Sequence, residues 1–176
     1  MTYYGSKQLA DSFRTVRKNT LTIANEIPED KYSYKAAPDV MSVRELLAHI
    51  AVSPMWQVTV HSTKMPRLET AFFVEWMQKS AVEQEALRSK ADVIKALTEK
   101  GEEFATFLEG LDEATLASSV ETPGNPNGQS SRNRFDMLLG SKEHEMHHRG
   151  QLMLIQRILG QVPELTRRRQ AIMANR

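Results

Sequence analysis

Apolar side chains in this chain recur at steps of three and four residues in every legible segment, and nowhere do they alternate by two. Leu9, Phe13, Val16, Thr20, Ile23 and Ile27 form one such stripe, Leu46, His49, Val52 or Ser53, and Trp56 a second, and Ile94, Leu97, Phe104, Leu108 and Leu111 a third. That period fits a helix with one buried face and excludes a half-buried strand. Punctuation agrees with the stripes. Ser6 stands as N-cap of the first helix and Pro28 stops it; the connector from Pro28 to Val40 carries turn residues at Pro28-Glu29-Asp30 and Pro38-Asp39. Ser42 followed by Glu45 is a capping box opening the second helix, in which Pro54 kinks or ends the regular part. The third long helix runs from about Ser89 to Leu111. Residues 121–128 read as a loop, and the fourth helix runs from about Ser131 to Leu159, with Gly160 as C-cap and Pro163 beyond it. The stretch from His61 to Lys90 is hardest to parse; its apolar cluster Phe72-Phe73-Val74-Glu75-Trp76-Met77 reads as a short helix packed over the rest. No strand is expected. Four main helices with long connections predict an all-α, four-helix-bundle fold.

The 176 residues suit one domain, with a core at 6–163 and a basic C-terminal tail at 164–176. Hydrophobic residues are 40% and charged residues 26%, an ordinary globular balance. A formal net charge of +1 gives no general attraction to nucleic acid or anionic membrane, and Arg167, Arg168, Arg169 and Arg176 read as a solvated end. There is no cysteine, hence no disulfide, thiolate metal site or cysteine nucleophile. The N-terminus lacks a signal-peptide pattern and no run is long enough to span a membrane, so a cytoplasmic location is expected.

Three of the five histidines crowd into His144-Glu145-Met146-His147-His148. Residues four apart on a helix lie about 40° apart around the axis and one turn apart along it, so His144 and His148 can aim two imidazoles at one ion. The same face continues through Gln151 and Ile155, toward the interior. His147 is rotated about 60° from His144 and about 100° from His148, which makes it a supporting or packing residue. Two imidazoles hold a divalent ion weakly, and catalytic sites use three protein ligands. His49, in the centre of the second helix's apolar stripe, is the candidate third. Glu45 and Gln151 lie one turn from ligands as candidate catalytic or ligand-orienting groups, and Trp56 as an apolar pocket wall. His61 reads as a surface residue. Arg149, about 140° from His144, is assigned to structure or a dimer contact. The same segment also spells H-E-x-x-H, in which Glu145 would be the base of a zinc peptidase. Against that reading, Leu154 stands where the extended motif has a histidine, Glu164 lies beyond the Gly160 turn off any evident helix, and no strand is present to bind a peptide.

Ser42-Val43-Arg44-Glu45-Leu46-Leu47-Ala48-His49-Ile50-Ala51 and His144-Glu145-Met146-His147-His148-Arg149-Gly150-Gln151-Leu152 together resemble the DinB/YfiT-like superfamily of metal-binding four-helix bundles. Ile27-Pro28, Tyr32-Ser33-Tyr34 and Ile158-Leu159-Gly160 fit the same pattern, and the likeness covers about residues 6–163. The resemblance implies His49, His144 and His148 as ligands of nickel or zinc, and a homodimer. It also implies a thiol S-transferase, isomerase or hydrolase using a low-molecular-weight thiol on a small-molecule substrate, alongside relatives with no known activity. The longer second connector at 57–89 and the arginine-rich end after Pro163 depart from the family pattern. A metal-dependent enzyme is therefore expected, with a non-catalytic metal-binding or stress-response module, its ion a staple of the bundle, as the alternative.

Overall fold

The computed structural model describes residues 4–125 and 128–174. Its helices are α1 (Ser6–Glu26), α2 (Val43–Val52), α3 (Met55–Ser62), α4 (Thr70–Ala86), α5 (Lys90–Glu109), α6 (Glu113–Ala117), α7 (Arg134–Ile158) and α8 (Glu164–Ala174). Helices α1, α5, α7 and the α2–α3 pair make the four-helix bundle, with α1 against α5 and α7, and α2 against α5 and α7. Helix α4 lies on α2, α6 on α7 and α8 on α1.

Local chemistry explains most boundaries. Ser42 Oγ accepts from the N–H of Glu45 at 3.3 Å while the Glu45 carboxylate accepts from the N–H of Ser42 at 2.7 Å, the reciprocal capping box. Ser89 and Asp92 repeat the device at α5. The first helix is capped by Gly5 and not Ser6, the Gln8 carboxamide accepting from the Gly5 N–H at 3.0 Å. At its other end Lys90 Nζ donates to the carbonyls of Asn25 and Ile27, placing a cation at a helix C-terminus. Pro54 divides the second stripe: α2 ends at Val52 and α3 begins at Met55. Gly160 turns the chain after α7 at φ +80°, a conformation that costs glycine nothing.

Among the described residues one buried apolar cluster, Val60, Leu68, Val120 and Met137, lies under a short hairpin, and two more lie inside the bundle. Ile23, Ile27, Leu46, Leu47, Ile50, Leu97 and Leu152 form one, and Leu9, Phe13, Phe104, Leu108 and Leu138 the other, with Phe13 and Phe104 meeting edge to face at 4.8 Å. A buried ion pair lies in the same interior. Arg17, 4% exposed, donates Nε and Nη2 to the carboxylate of Glu145, 2% exposed, at 2.9–3.1 Å. Its Nη1 donates to the carbonyl of Leu97 at 2.7 Å and Nη2 to that of Ile50 at 3.1 Å. The partner a helix would offer the Ile50 carbonyl is the N–H of residue 54, which is Pro54 and has none. Arg17 supplies the missing donor. Gly101 makes room for it: a Cβ there would stand 2.8 Å from Arg17 Cγ.

Further expectations need correction. Strands do occur: β1 (Ser119–Glu121) pairs antiparallel with β2 (Ser131–Asn133), and Arg67 joins Glu121 through a bridge. The fourth helix consequently starts at Arg134, with Asn133 Oδ1 accepting from the Phe135 N–H as its cap, because Ser131 and Arg132 are spent on the hairpin. The apolar stretch in the second connector is a 17-residue helix, α4, and not a short one. Arg167, Arg168 and Arg169 are solvent-exposed as expected but belong to a helix, α8, which Glu164 opens and in which Arg168 pairs with Glu164 and Arg167 with Glu26. Pro126, Asn127 and Arg176 lie outside the described residues.

Candidate metal centre

Helix α7 carries His144 and His148 on one face and α2 delivers His49 opposite them. Nε2 of His144 lies 3.1 Å from Nε2 of His49 and 3.0 Å from Nε2 of His148, and the three donor atoms fall within 4.8 Å of one another. The convergence expected from the sequence is present in the geometry.

Tautomers follow from the neighbours. Gln151 Oε1 stands 2.8 Å from His148 Nδ1 and accepts its proton, which leaves the Nε2 lone pair facing the other two rings. Ser53 Oγ lies 3.4 Å from His144 Nδ1 and, by accepting from it, can hold that ring in the same sense. Burial, and next to it the neighbouring histidines, push the His144 pKa down to about 4; burial and then His148 lower His49; burial lowers His148 against the opposing bond from Gln151. All three rings are therefore neutral at pH 7, the form that ligates metal. An ion bound to imidazoles at about 2.0–2.1 Å sets nitrogen separations of roughly 2.8–3.0 Å at right angles and 3.3–3.4 Å at tetrahedral angles. The 3.0 and 3.1 Å separations from His144 match that range, and the third pair lies within 4.8 Å, so the three neutral imidazoles suit a divalent transition ion once the His49 and His148 rings draw together around it.

The triad borders a cavity of about 510 Å³, within the range of small-molecule sites. His49, His144 and Ser53 line it together with Trp56, Phe73, Trp76 and Met77, and with Gly140 and Ser141 of α7. Trp56 and Phe73 meet edge to face at 5.2 Å. Trp56 thus sits where the sequence placed a pocket wall. A second cavity of about 290 Å³ shares Trp56, Phe73, Arg132 and Met137 with the first and extends toward Thr122 and Gly124.

The remaining candidates divide. Gln151 backs His148, and its Nε2 lies 3.5 Å from His147 Nε2; the His147 ring also meets the His148 ring edge to face at 5.0 Å, so His147 supports the triad from outside and does not join it. Glu45 is absorbed by the cap of α2 and by Lys35 at 3.5 Å; its carboxylate is held below the usual range chiefly by the backbone N–H of Ser42, and it does not line the cavity. Glu145, one residue from His144, faces Arg17 across the core, so the peptidase reading has no base at the triad. His61 corrects the surface expectation: it is 1% exposed, its Nε2 donating to Gln57 Oε1 at 2.7 Å and its Nδ1 accepting from Arg134 Nη1 at 2.8 Å. The apolar setting of α3 buries it, and burial together with Arg134 pushes its pKa down to about 4.

The sequence reads α4 only as a short helix packed over the bundle, in a connector able to reshape the pocket mouth; the residues by which it walls the cavity are not named there. Its signal was available: Phe73, Trp76, Met77, Ser80 and Gln84 are spaced by three and four and mark the face turned to the histidines. Arg17 left no such signal, because a lone arginine in an apolar stripe reads as a residue that reaches solvent.

Comparison with known proteins agrees with this architecture. A protein of Bacillus subtilis (strain 168), YjoA, described as uncharacterized, is 28% identical over 155 residues, covering 88% of this chain and 91% of its own. The crystal structure of a DinB-like protein from Bacillus subtilis, YjoA, superimposes with a TM-score of 0.65 at 25% identity, covering 88% of this chain and 93% of that one. The DinB superfamily pattern matches residues 12–152, which include all three histidines, and the chain belongs to the DinB superfamily.

Proposed function

We propose that this protein binds one divalent metal ion, nickel or zinc, through His49, His144 and His148, and uses it on a small molecule held in the adjoining cavity, as a thiol S-transferase or hydrolase. The observation that carries the reading is that two of the three converging histidines, His49 and His144, also line a cavity walled by Trp56, Phe73, Trp76 and Met77. A purely structural ion would be closed off from such a space. A bound divalent ion supplies Lewis acidity, which makes a low-molecular-weight thiol or a water nucleophilic at neutral pH. The chain's own groups do the rest. Gln151 Oε1 accepts a hydrogen bond from His148 Nδ1–H and Ser53 contacts His144 Nδ1, so the donor lone pairs stay aimed. The aromatic wall holds an apolar body and excludes water. Among the described residues no carboxylate lines the cavity, which favours addition of a thiol, needing no strong protein base, over activation of water. In the transferase case the sulfur forms the new S–C bond, its proton passes to solvent and the leaving group departs with the carbon's former electron pair.

The same proposal places the protein in the cytoplasm as a homodimer, Met146, Leu154 and Ile158 forming an exposed apolar stripe on α7 available to a second copy. No helix among the described residues is long and apolar enough to cross a membrane.

Metal analysis of the purified protein, followed by conjugation assays of the nickel- and zinc-loaded forms with glutathione-type thiols and an electrophilic chromophore, tests the proposal. One ion per chain, lost on His148→Ala together with turnover, is expected. A stoichiometric ion with no turnover by thiol or water, and a large fall in melting temperature on His148→Ala, would replace it with the staple.

A further inference from the structure

Arg132 is the one charged side chain in the walls of both cavities, and neither wall contains an aspartate, glutamate or lysine among the described residues. The hairpin register sets it opposite Val120, at the middle of β2. Its Nε and Nη2 both donate to Oδ2 of Asp136, at 3.1 and 2.6 Å, an i, i+4 contact across the start of α7. That contact occupies one edge of the guanidinium and fixes its plane. The other edge remains: Nη1 makes no hydrogen bond within the described residues, and a planar guanidinium can serve a carboxylate on each edge. Asp136 is 60% exposed and outside both walls, so it orients the arginine from the solvent side without making the cavities anionic.

Resting on the reading that the histidines act on a small molecule, we propose that Arg132 is the anchor for an anionic group and that the substrate is an elongated carboxylate with an apolar body. The Arg132 guanidinium lies on Asp136, eight residues before His144 on α7, roughly 12 Å along the axis. Trp56, Phe73 and Met137 line both cavities and supply apolar wall beside Arg132 and the histidines. A ligand that reaches both ends therefore carries its carboxylate far from its reacting atom, with an aryl or alkyl stretch between. A short polar acid cannot bridge that distance, and a neutral apolar molecule leaves the free guanidinium edge unused.

Binding of phenylbutyrate, phenylhexanoate and phenyloctanoate, each against its primary amide, to the zinc-loaded protein tests this, read by quenching of Trp56 and Trp76 fluorescence and by calorimetry. The carboxylates should bind about tenfold tighter than the amides or better, as a charge-assisted pair implies, with the preference rising along the series. Arg132→Gln should abolish the preference while zinc content stays unchanged, and Arg132→Lys should keep part of it. Wild-type protein stripped of zinc should still prefer the carboxylate. A preference that survives Arg132→Gln, disappears on stripping, or is absent in the wild type overturns the proposal. A protein that holds no zinc at all but loses its carboxylate preference on Arg132→Gln sustains the anchor and defeats the metal reading instead.

Discussion

Replacing Glu145 by glutamine keeps the volume of the side chain and removes its charge, leaving the Arg17 guanidinium in the core facing a neutral amide. Both groups are buried and joined by three hydrogen bonds, and removing one partner of such a pair costs about 3–5 kcal/mol because the survivor stays desolvated and uncompensated. For a chain of this size that corresponds to a fall in melting temperature of roughly 6–20 °C. Arg17→Met should lose a similar amount, since it strands the carboxylate and also the Ile50 carbonyl that Pro54 leaves without a donor. The double variant Arg17→Met/Glu145→Leu removes both charges, so it should recover at least about 2 kcal/mol of the summed single losses. Urea unfolding followed by circular dichroism, in chelator so that no ion contributes, measures all three. A cost below about 1 kcal/mol for Glu145→Gln, or strict additivity in the cycle, would refute the reasoning that the pair is a closed, desolvated unit.

Gly101→Ala should destabilise by about 1–3 kcal/mol in the same assay, because its new methyl meets Arg17 Cγ at 2.8 Å, whereas Gly150→Ala, with nothing within 4 Å, should stabilise by up to about 1 kcal/mol. His61, whose pKa falls from 6.5 to about 4 on folding, contributes stability fully present above pH 6.5 and lost as pH drops toward 4, up to about 3 kcal/mol. Unfolding free energies of wild type and His61→Gln from pH 7.5 to 4 should therefore converge toward the acid end; parallel curves would count against it. Gln151→Ala should weaken zinc affinity about 10- to 100-fold by freeing the His148 tautomer, measured by competition with a chromogenic chelator. Because burial holds the His144 pKa near 4, zinc should stay bound as pH falls from 6.5 to 5, and release already at 6.5 would contradict the neutral triad.

The bundle and the triad were legible because each depends on period. The stripe through Leu46 and His49 and the spacing of His144 and His148 both follow from 3.6 residues per turn, and caps at Ser42 and Gly160 announce themselves by residue type. What escaped depends on distant partners. Ser131, Arg132 and Asn133 have a polar pattern no strand rule selects, and they become a strand only because Ser119–Glu121 lies beside them. The burial of His61 rests on Arg134, seventy-three residues along the chain, and that of Arg17 on Glu145, one hundred and twenty-eight away. Helix α4 was under-read for a different reason: Ser80 is its one buried residue, so most of its apolar side chains mark a cavity wall and not a core face.

The four segments that meet at Arg17 have a consequence for how the molecule comes apart. The guanidinium rises from α1 and is satisfied by α2, α5 and α7 at once. An assembly that omits α1 or α7 would leave a naked charge, and one that omits α2 or α5 would leave a guanidinium N–H without its carbonyl, so fragments that lack one helix have no comfortable resting state. Loss of order in this body should thus be all-or-none across the bundle, with the two limbs that carry the histidines released in the same event and not one after the other.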